Sequence, residues 1–177
     1  RVMDRIYALG ELEINGVVAT TPFYYKSNDR QIYNFYTMLA EESYYPVYIY
    51  DLPVVTQSPM TKDVLVELMK NDNIKGVKSA NYDMLQDVIE IGIPEGFDIL
   101  FSGLDIFDKA IKNGITKNLD GMFTATPKNS KMMYDAASKG DMDIVSKSLE
   151  KIVKLRNEFV KSSVFTAYAY AMNILGM

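Results

Sequence analysis

The sequence contains neither cysteine nor histidine, two residue types on which many enzymes depend. Without cysteine the chain forms no disulfide, and it offers neither a thiolate nucleophile nor a cysteine-ligated zinc site. Without histidine it has no Ser-His triad, no imidazole metal ligand and no ordinary base for neutral pH. Any chemistry must therefore come from Asp, Glu, Tyr, Lys, Ser or Thr. That set favours carboxylate chemistry or the imine chemistry of a lysine amine.

Long apolar runs and clustered basic residues are also missing. Charge or glycine interrupts every apolar stretch well before the roughly 18 residues that a membrane helix needs. The first five residues, Arg-Val-Met-Asp-Arg, lack the features of a signal peptide. The net charge is −4 and the Lys and Arg residues are scattered, which is not the pattern of a nucleic-acid-binding protein. We therefore expect a soluble chain of 177 residues that forms one domain, with neither a membrane nor a nucleic-acid partner.

The chain alternates short β-rich runs with helical patterns. Five runs predict strands, at residues 16–21, 46–50, 74–78, 97–102 and 121–126. Predicted helices follow them: one capped by Ser27 or Asn28, one capped by Thr61, and others at about residues 84–91, 106–113 and 131–140. Two further helical patterns cover residues 142–161 and 164–175. Strands that start about 23 to 30 residues apart, with a helix in each gap, indicate parallel βα units.

Parallel βα units occur in Rossmann-like sheets and in TIM barrels. No Gly-x-Gly-x-x-Gly or Gly-Lys-Ser/Thr loop follows any predicted strand, so the pattern favours the barrel. Polar residues stand at the carboxyl ends of all five strands, where a TIM barrel carries its chemistry. These residues are Thr20, Thr21, Tyr50, Lys78, Ser102, Thr124 and Thr126. A lysine or threonine at a strand end otherwise simply returns to solvent, and the pattern alone leaves that alternative open.

Two motifs at a fixed separation carry a resemblance to a known family. The second predicted strand ends in Tyr-Asp-Leu-Pro at residues 50–53, and the third ends in Gly-Val-Lys at residues 76–78. Together they resemble the signature of the dihydrodipicolinate synthase and N-acetylneuraminate lyase family, in which Tyr-(Asn/Asp)-x-Pro precedes a Gly-(Ile/Val)-Lys strand with a Schiff-base lysine. Thr-Pro-Phe-Tyr-Tyr at residues 21–25 and Ser-Gly-Leu-Asp at residues 102–105 are similar to two further loops of that family. The resemblance runs from about Gly16 onwards.

The resemblance implies a Schiff-base aldolase without a metal or an organic cofactor. Lys78 would form an imine with pyruvate or a related 2-oxo acid, and the imine would act as an electron sink while a bond to an aldehyde partner forms or breaks. Tyr50 would move protons beside it. A lysine amine must be neutral to attack a ketone, and apolar strand neighbours such as Ile49 and Val77 favour that form. The alternative for Tyr50 is a strand tyrosine at the rim of the sheet.

The resemblance also implies roles for residues in the loops. The family tyrosine that matches Tyr24 reaches across a dimer interface into the partner's active site, which implies a homo-oligomer, a dimer or a tetramer. A cytoplasmic location is implied in the same way. Tyr24 is otherwise a surface or interface aromatic residue. The implied substrate-binding positions are Ser102, Gly103, Asp105, Ala80 and Met122. For Asp105, capping of the following helix is an equal alternative.

At three positions this chain lacks the residue that is typical of the family's synthases or sialic-acid lyases. Synthases usually carry an arginine for a substrate carboxylate two residues after the motif proline, where this chain has Val55. Sialic-acid lyases carry a Glu after the strand-seven Asp and a Thr two residues beyond the lysine, where this chain has Ile106 and Ala80. These positions disfavour both the synthase and the sialic-acid lyase. Of the family activities considered, the sequence then resembles that of a 2-keto-3-deoxy sugar acid aldolase. The synthase and the lyase remain alternatives, as does an inactive relative with a binding role.

The family fold is a TIM (β/α)8 barrel of the α/β class. The readable strands correspond to its fourth to eighth strands, and the chain starts with Arg1 rather than Met. We therefore expect a partial TIM-barrel domain over residues 1–140 and a helical extension over residues 141–177. The Gly-(Thr/Ser)-Thr-Gly-Glu loop, which binds the pyruvate carboxylate in the family, would lie in the missing strands. We expect these residues alone to be catalytically inactive.

Overall fold

The computed structural model describes residues 2–10 and 12–177. Arg1 and Glu11 lie outside the described residues. The chain divides into two compact units, of which the first ends at Ser102 and the second begins at Gly103. The predicted boundary between residues 140 and 141 lies inside the second unit and stays a prediction.

The first unit is a parallel sheet with one helix before its first strand and the others between its strands. The four strands are β1 (Val17–Thr20), β2 (Val47–Tyr50), β3 (Ile74–Ser79) and β4 (Asp98–Phe101), hydrogen-bonded in the order β1-β2-β3-β4. The helices are α1 (Val2–Ala8), α2 (Asp29–Glu42), α3 (Pro53–Thr56), α4 (Lys62–Leu68) and α5 (Tyr82–Ile91). Four predicted strands and the helices after the first three of them are confirmed. Helices α1 and α3 are additions to the predicted pattern.

Side-chain caps explain where the helices of this unit begin. Asn28 caps α2, because its Oδ1 accepts from the Gln31 N–H at 3.0 Å while the Gln31 side chain accepts from the Asn28 N–H at 2.9 Å. Of the two predicted caps, Ser27 and Asn28, the second is therefore correct. Thr61 caps α4 as predicted, because its hydroxyl accepts from the Val64 N–H at 3.4 Å.

The two faces of the sheet differ in character. Ile49 and Val77 are register partners on neighbouring strands, and both are fully buried. Side chains alternate between the faces along a strand, so Tyr50 and Lys78 lie on the opposite face from this pair. The expectation that Ile49 and Val77 surround the Lys78 amine is therefore wrong. The Tyr50 and Lys78 side chains are only partly buried. The sheet therefore separates an apolar face, which contributes to the core, from a face with polar groups at its carboxyl edge.

The second unit is built from helices. After a 3₁₀ turn at Leu104–Ile106 come α6 (Phe107–Lys112), α7 (Met122–Ala125), α8 (Pro127–Ala137), α9 (Met142–Val160) and α10 (Val164–Ile174). The helices predicted at residues 106–113, 142–161 and 164–175 are confirmed, whereas α8 begins at Pro127 rather than near residue 131. Across residues 2–10 and 12–177, no helix combines the length and the apolar character that a membrane span requires.

The fifth predicted strand, at residues 121–126, is wrong. The run forms α7, in which Met122 is buried and Thr124 is exposed. A turn at Asp120 precedes this helix, because the Asp120 Oδ1 accepts from the Met122 N–H, two residues on, at 2.8 Å. Thr126 explains its end, because its hydroxyl donates to the Met122 carbonyl at 2.7 Å. A short apolar run cannot be assigned to strand or helix by its periodicity, and these local hydrogen bonds select the helix.

Candidate active site at the carboxyl edge of the sheet

Lys78 and Tyr50 meet at the carboxyl edge of the sheet. They are register partners on β3 and β2, and Thr20 of β1 and Leu100 of β4 continue the same row. The Lys78 Nζ lies over the Tyr50 ring, 3.9 Å from the ring centroid. At this distance an ammonium group is attracted to the face of an aromatic ring. Two of the three predicted catalytic residues are thus in direct contact.

Gly76 of the Gly-Val-Lys motif has a steric reason to be glycine. A Cβ at this position would lie 2.6 Å from Tyr48 Cδ1 and 2.7 Å from the Asp98 carbonyl oxygen. Tyr48 and Asp98 are the register partners of Gly76 on β2 and β4. The missing side chain lets the Tyr48 ring lie across the sheet, two residues before Tyr50 and on the same face. The motif glycine therefore makes room for an aromatic layer beneath the Lys78 and Tyr50 pair.

Asp51, which follows Tyr50, is a carboxylate that is only 3% exposed. Its Oδ2 accepts from the Ser79 hydroxyl at 2.7 Å, and its Oδ1 accepts from the Met60 N–H at 3.0 Å. Its own N–H donates to the Lys78 carbonyl at 2.9 Å. Burial raises the pKa of Asp51 above its ordinary value, and the hydrogen bonds from Ser79 and Met60 oppose that rise.

Neither Asp51 nor Ser79 is among the predicted site residues. The available signal is positional, since each of these polar residues directly follows a predicted catalytic residue, Tyr50 or Lys78. In the part of the chain that the structure describes, no three acidic side chains come together in a way that could hold a metal ion.

Tyr24, the third predicted catalytic residue, lies in the loop after β1. Its side chain is 83% exposed, and its ring packs edge-on against Tyr25 with the centroids 4.8 Å apart. Its backbone φ is 93°, a left-handed conformation that is rare for a residue with a side chain. Phe23 and Tyr25 beside it are exposed as well. The role of Tyr24 across a subunit interface stays a prediction.

Ser102 and Ala80, two of the predicted substrate-binding residues, follow the ends of β4 and β3. Ser102 is partly buried and donates its N–H to the Ser79 carbonyl at 3.0 Å, which extends the ladder between the two strands. Ala80 is exposed and stands two residues after Lys78. Both residues therefore flank the end of the strand that carries Lys78, and their binding role stays a prediction.

The other predicted substrate-binding residues, Gly103, Asp105 and Met122, belong to the second unit. Asp105 forms a bidentate ion pair with Arg156 of α9, with N–O distances of 2.9 and 2.5 Å. Hydrogen bonds from Arg156 lower the pKa of Asp105. Neither the 3₁₀ turn nor α6 has a side-chain cap, so the capping alternative for Asp105 is wrong. Nothing in the sequence pointed to Arg156, which lies 51 residues away along the chain.

Two curated relatives indicate what the chain is similar to. A 4-hydroxy-tetrahydrodipicolinate synthase of Methanospirillum hungatei is 28% identical over 172 residues, which cover 96% of this chain and 59% of the relative. An N-acetylneuraminate lyase of Clostridium perfringens is 27% identical over 135 residues, which cover 75% of this chain and 46% of the relative. The chain thus spans about half the length of the curated relatives it matches.

A solved structure shows the fold. The crystal structure of the chloride-inhibited dihydrodipicolinate synthase from Acinetobacter baumannii, complexed with pyruvate, matches this chain with a TM-score of 0.85 at 21% identity. The match covers 98% of this chain and 60% of that chain. At this identity the likeness shows the fold alone. It confirms the predicted class, because the parallel sheet and its helices are part of a TIM barrel.

A family model covers almost the whole chain. The model described as the dihydrodipicolinate synthetase family matches residues 8–177. The matched range includes both motifs on which the predicted resemblance rests, at residues 50–53 and 76–78. The prediction is therefore confirmed, and this chain belongs to the dihydrodipicolinate synthetase family.

Proposed function

We propose that this protein is a Schiff-base aldolase, a lyase that forms or cleaves a carbon-carbon bond to pyruvate or another 2-oxo acid. The observation that carries the proposal is the position of the Lys78 Nζ over the Tyr50 ring, 3.9 Å from its centroid, at the carboxyl edge of barrel strands. Membership of the family supports it. The pyruvate bound by the Acinetobacter baumannii relative supports the class of substrate.

Lys78 supplies the nucleophile in this proposal. Its neutral amine adds to the ketone carbon of the 2-oxo acid, and loss of water from the carbinolamine leaves an iminium ion. Loss of a proton from the adjacent carbon gives an enamine, which attacks the aldehyde carbon and forms the new bond. Hydrolysis of the imine then releases the product and restores the lysine. Cleavage follows the same steps in reverse, and neither direction needs a metal or an organic cofactor.

Tyr50 and Tyr24 supply the proton transfers. The Tyr50 phenol donates a proton to the departing hydroxyl of the carbinolamine and exchanges one with the aldol hydroxyl. Tyr24 acts as a second phenol in the site of a neighbouring subunit, which requires a homo-oligomer, a dimer or a tetramer. Its exposure and its strained backbone support this role, because strain of this kind concentrates at functional sites. The proposed location is the cytoplasm.

Residues around the motifs favour a 2-keto-3-deoxy sugar acid as the substrate for cleavage. Val55, in α3, is aliphatic where a synthase has its carboxylate-binding arginine, so a second substrate carboxylate lacks a bidentate partner. Ile106 and Ala80 likewise stand where sialic-acid lyases have Glu and Thr. The proposed substrate-binding residues are Ala80, Ser102, Gly103, Asp105 and Met122. The activities named for the two curated relatives are the alternatives.

Reductive trapping tests the imine chemistry. The purified intact protein is incubated with pyruvate, reduced with borohydride and digested, and the peptide that contains Lys78 should gain the mass of one reduced pyruvyl group. Lys78→Ala should abolish the gain, whereas Lys75→Ala, which removes another lysine of β3, should preserve it. An unmodified Lys78 in the wild-type protein would reject the proposal. Pyruvate release from 2-keto-3-deoxy sugar acids and from N-acetylneuraminate then distinguishes the substrates.

A further inference from the structure

A buried hydrogen-bond network joins the two strand ends that carry the proposed catalytic pair. Asp51 is 3% exposed and Ser79 is fully buried. The Ser79 hydroxyl donates to Asp51 Oδ2 at 2.7 Å and accepts from the Asn81 N–H at 3.0 Å. Asp51 Oδ1 accepts from the Met60 N–H at 3.0 Å, in the segment that leads into α4. Both carboxylate oxygens and the serine hydroxyl are thus occupied within the protein.

This network holds the backbone on both sides of the Lys78 side chain. The Asp51 N–H donates to the Lys78 carbonyl at 2.9 Å, and Ser79 is the next residue of β3. Asp51 is in turn covalently joined to Tyr50 at the end of β2. Tyr50 and Lys78 are register partners, so the distance between their side chains depends on how the ends of β2 and β3 are aligned. A shift of the β3 end relative to β2 would move the Lys78 Nζ away from the Tyr50 ring.

We propose that Asp51 is a positioning residue that acts through Ser79, by holding the ends of β2 and β3 in the register that places the Lys78 amine over the Tyr50 ring. The inference rests on the proposed imine chemistry and gives a function to a buried carboxylate which that chemistry does not use. Neither Asp51 nor Ser79 contacts the substrate in this scheme. The role belongs to the hydrogen bonds of the bridge rather than to its charge.

Two fully buried serines provide a matched test. Ser79→Ala removes the bridge, whereas Ser58→Ala removes a hydroxyl that donates to the Thr56 carbonyl at 3.0 Å and accepts from the Ser27 N–H at 2.8 Å. The measurement is the rate at which saturating pyruvate forms a reducible adduct on Lys78, followed by mass spectrometry. Both variants should have a lower Tm. Only Ser79→Ala should form the adduct more slowly, by about tenfold or more, because small displacements of a reacting group have effects of this size.

Substitutions of Asp51 form an independent arm of the test. Asp51→Ala should slow adduct formation as Ser79→Ala does. Asp51→Asn should regain most of the lost rate, because an amide can accept from the Met60 N–H and donate to the Ser79 oxygen. If Ser79→Ala does not fold, Ser79→Cys replaces it, because a thiol fills the space of the hydroxyl but donates only weakly. The expected direction is the same.

The outcomes separate this inference from the proposed function. If the wild-type protein forms no adduct, the imine chemistry fails and the role of Asp51 fails with it. If the wild-type protein forms the adduct and the Ser79 variant forms it as fast as Ser58→Ala, the imine chemistry stands and the positioning role is overturned. An equal loss of rate in Asp51→Asn and Asp51→Ala would also overturn it, because charge rather than hydrogen bonding would then control Lys78.

Discussion

Tyr50 combines two roles in one side chain, since its ring contacts the Lys78 Nζ while its hydroxyl is the proposed proton carrier. Phenylalanine keeps the ring and lacks the hydroxyl, so Tyr50→Phe should lower turnover by about 100-fold or more and still allow the imine to be trapped. Tyr50→Leu should reduce trapping as well, because the Lys78 side chain loses the ring against which it packs. Steady-state kinetics and reductive trapping measure the two effects. Equal trapping in both variants would show that the ring does not position the amine.

Asp105 and Arg156 allow the electrostatics of one ion pair to be tested. Hydrogen bonds from Arg156 lower the pKa of Asp105, so the stabilisation is present above the ordinary pKa of an aspartate and is lost as the pH falls through the folded-state pKa. Arg156→Gln should raise the pKa of Asp105 in an NMR titration. Lys161→Gln, which breaks the exposed ion pair with Glu158, is the control and should leave that pKa unchanged.

The same ion pair should contribute little to stability. The Asp105 side chain is 59% exposed, so Arg156→Gln should lower the free energy of unfolding by less than about 1 kcal/mol. A larger loss in urea denaturation would mean that the Arg156 stem contributes packing as well as charge.

Among the elements, β3 depends on the absence of a side chain at Gly76. In Gly76→Ala the new Cβ would meet the Tyr48 ring at 2.6 Å and the Asp98 carbonyl oxygen at 2.7 Å, and that oxygen belongs to the neighbouring strand. The free energy of unfolding in urea should fall by about 1–3 kcal/mol. Gly121→Ala is the control, because its Cβ would meet nothing closer than 3.9 Å. Equal stability of the two variants would mean that the sheet relaxes around the added carbon.

The start of a helix was easier to predict than whether a short apolar run forms a strand or a helix. The cap of α4 joins Thr61 to the Val64 N–H, three residues on, so the sequence pattern contains the whole interaction. Residues 121–126 are different, because a run of six residues satisfies the requirements of a buried strand and of a short helix alike. The hydrogen bonds of Asp120 and Thr126 with Met122 resolve that choice.

For the molecule as a whole, Asp51 links stability to pH. Burial raises its pKa above the ordinary value of 3.8. A raised folded-state pKa gives a stabilisation that is fully present below the unfolded-state pKa and is lost as the pH rises through the folded-state pKa. The wild-type protein should therefore lose stability relative to Asp51→Asn as the pH rises above the ordinary pKa of 3.8. Urea unfolding of both proteins measures this difference in stability. The other carboxyl groups are present in both proteins, so their contributions to the pH dependence cancel. A difference that does not vary with pH would mean that Asp51 titrates normally.

Several properties of the molecule follow from residues that are close together in the chain. The lack of histidine and cysteine restricts its chemistry, the alternation of strands and helices predicts parallel βα units, and two short motifs were sufficient to predict the family and to select Lys78. The family and the TIM-barrel class are confirmed. Such features are readable because composition, capping and periodicity act over a few residues.

The hydrogen-bond partners of the predicted site residues depend on tertiary packing and not on local sequence. Ser79 donates to Asp51 across 28 residues of chain, and Arg156 donates to Asp105 across 51. No local pattern contains these pairs, because strand register and helix docking bring the two residues of each pair together. The contact of the Lys78 amine with the Tyr50 ring arises in the same way, from the register of β2 and β3. The sequence was thus sufficient to select Lys78 as the proposed reactive residue, whereas the surroundings of its amine form only once the strands are aligned.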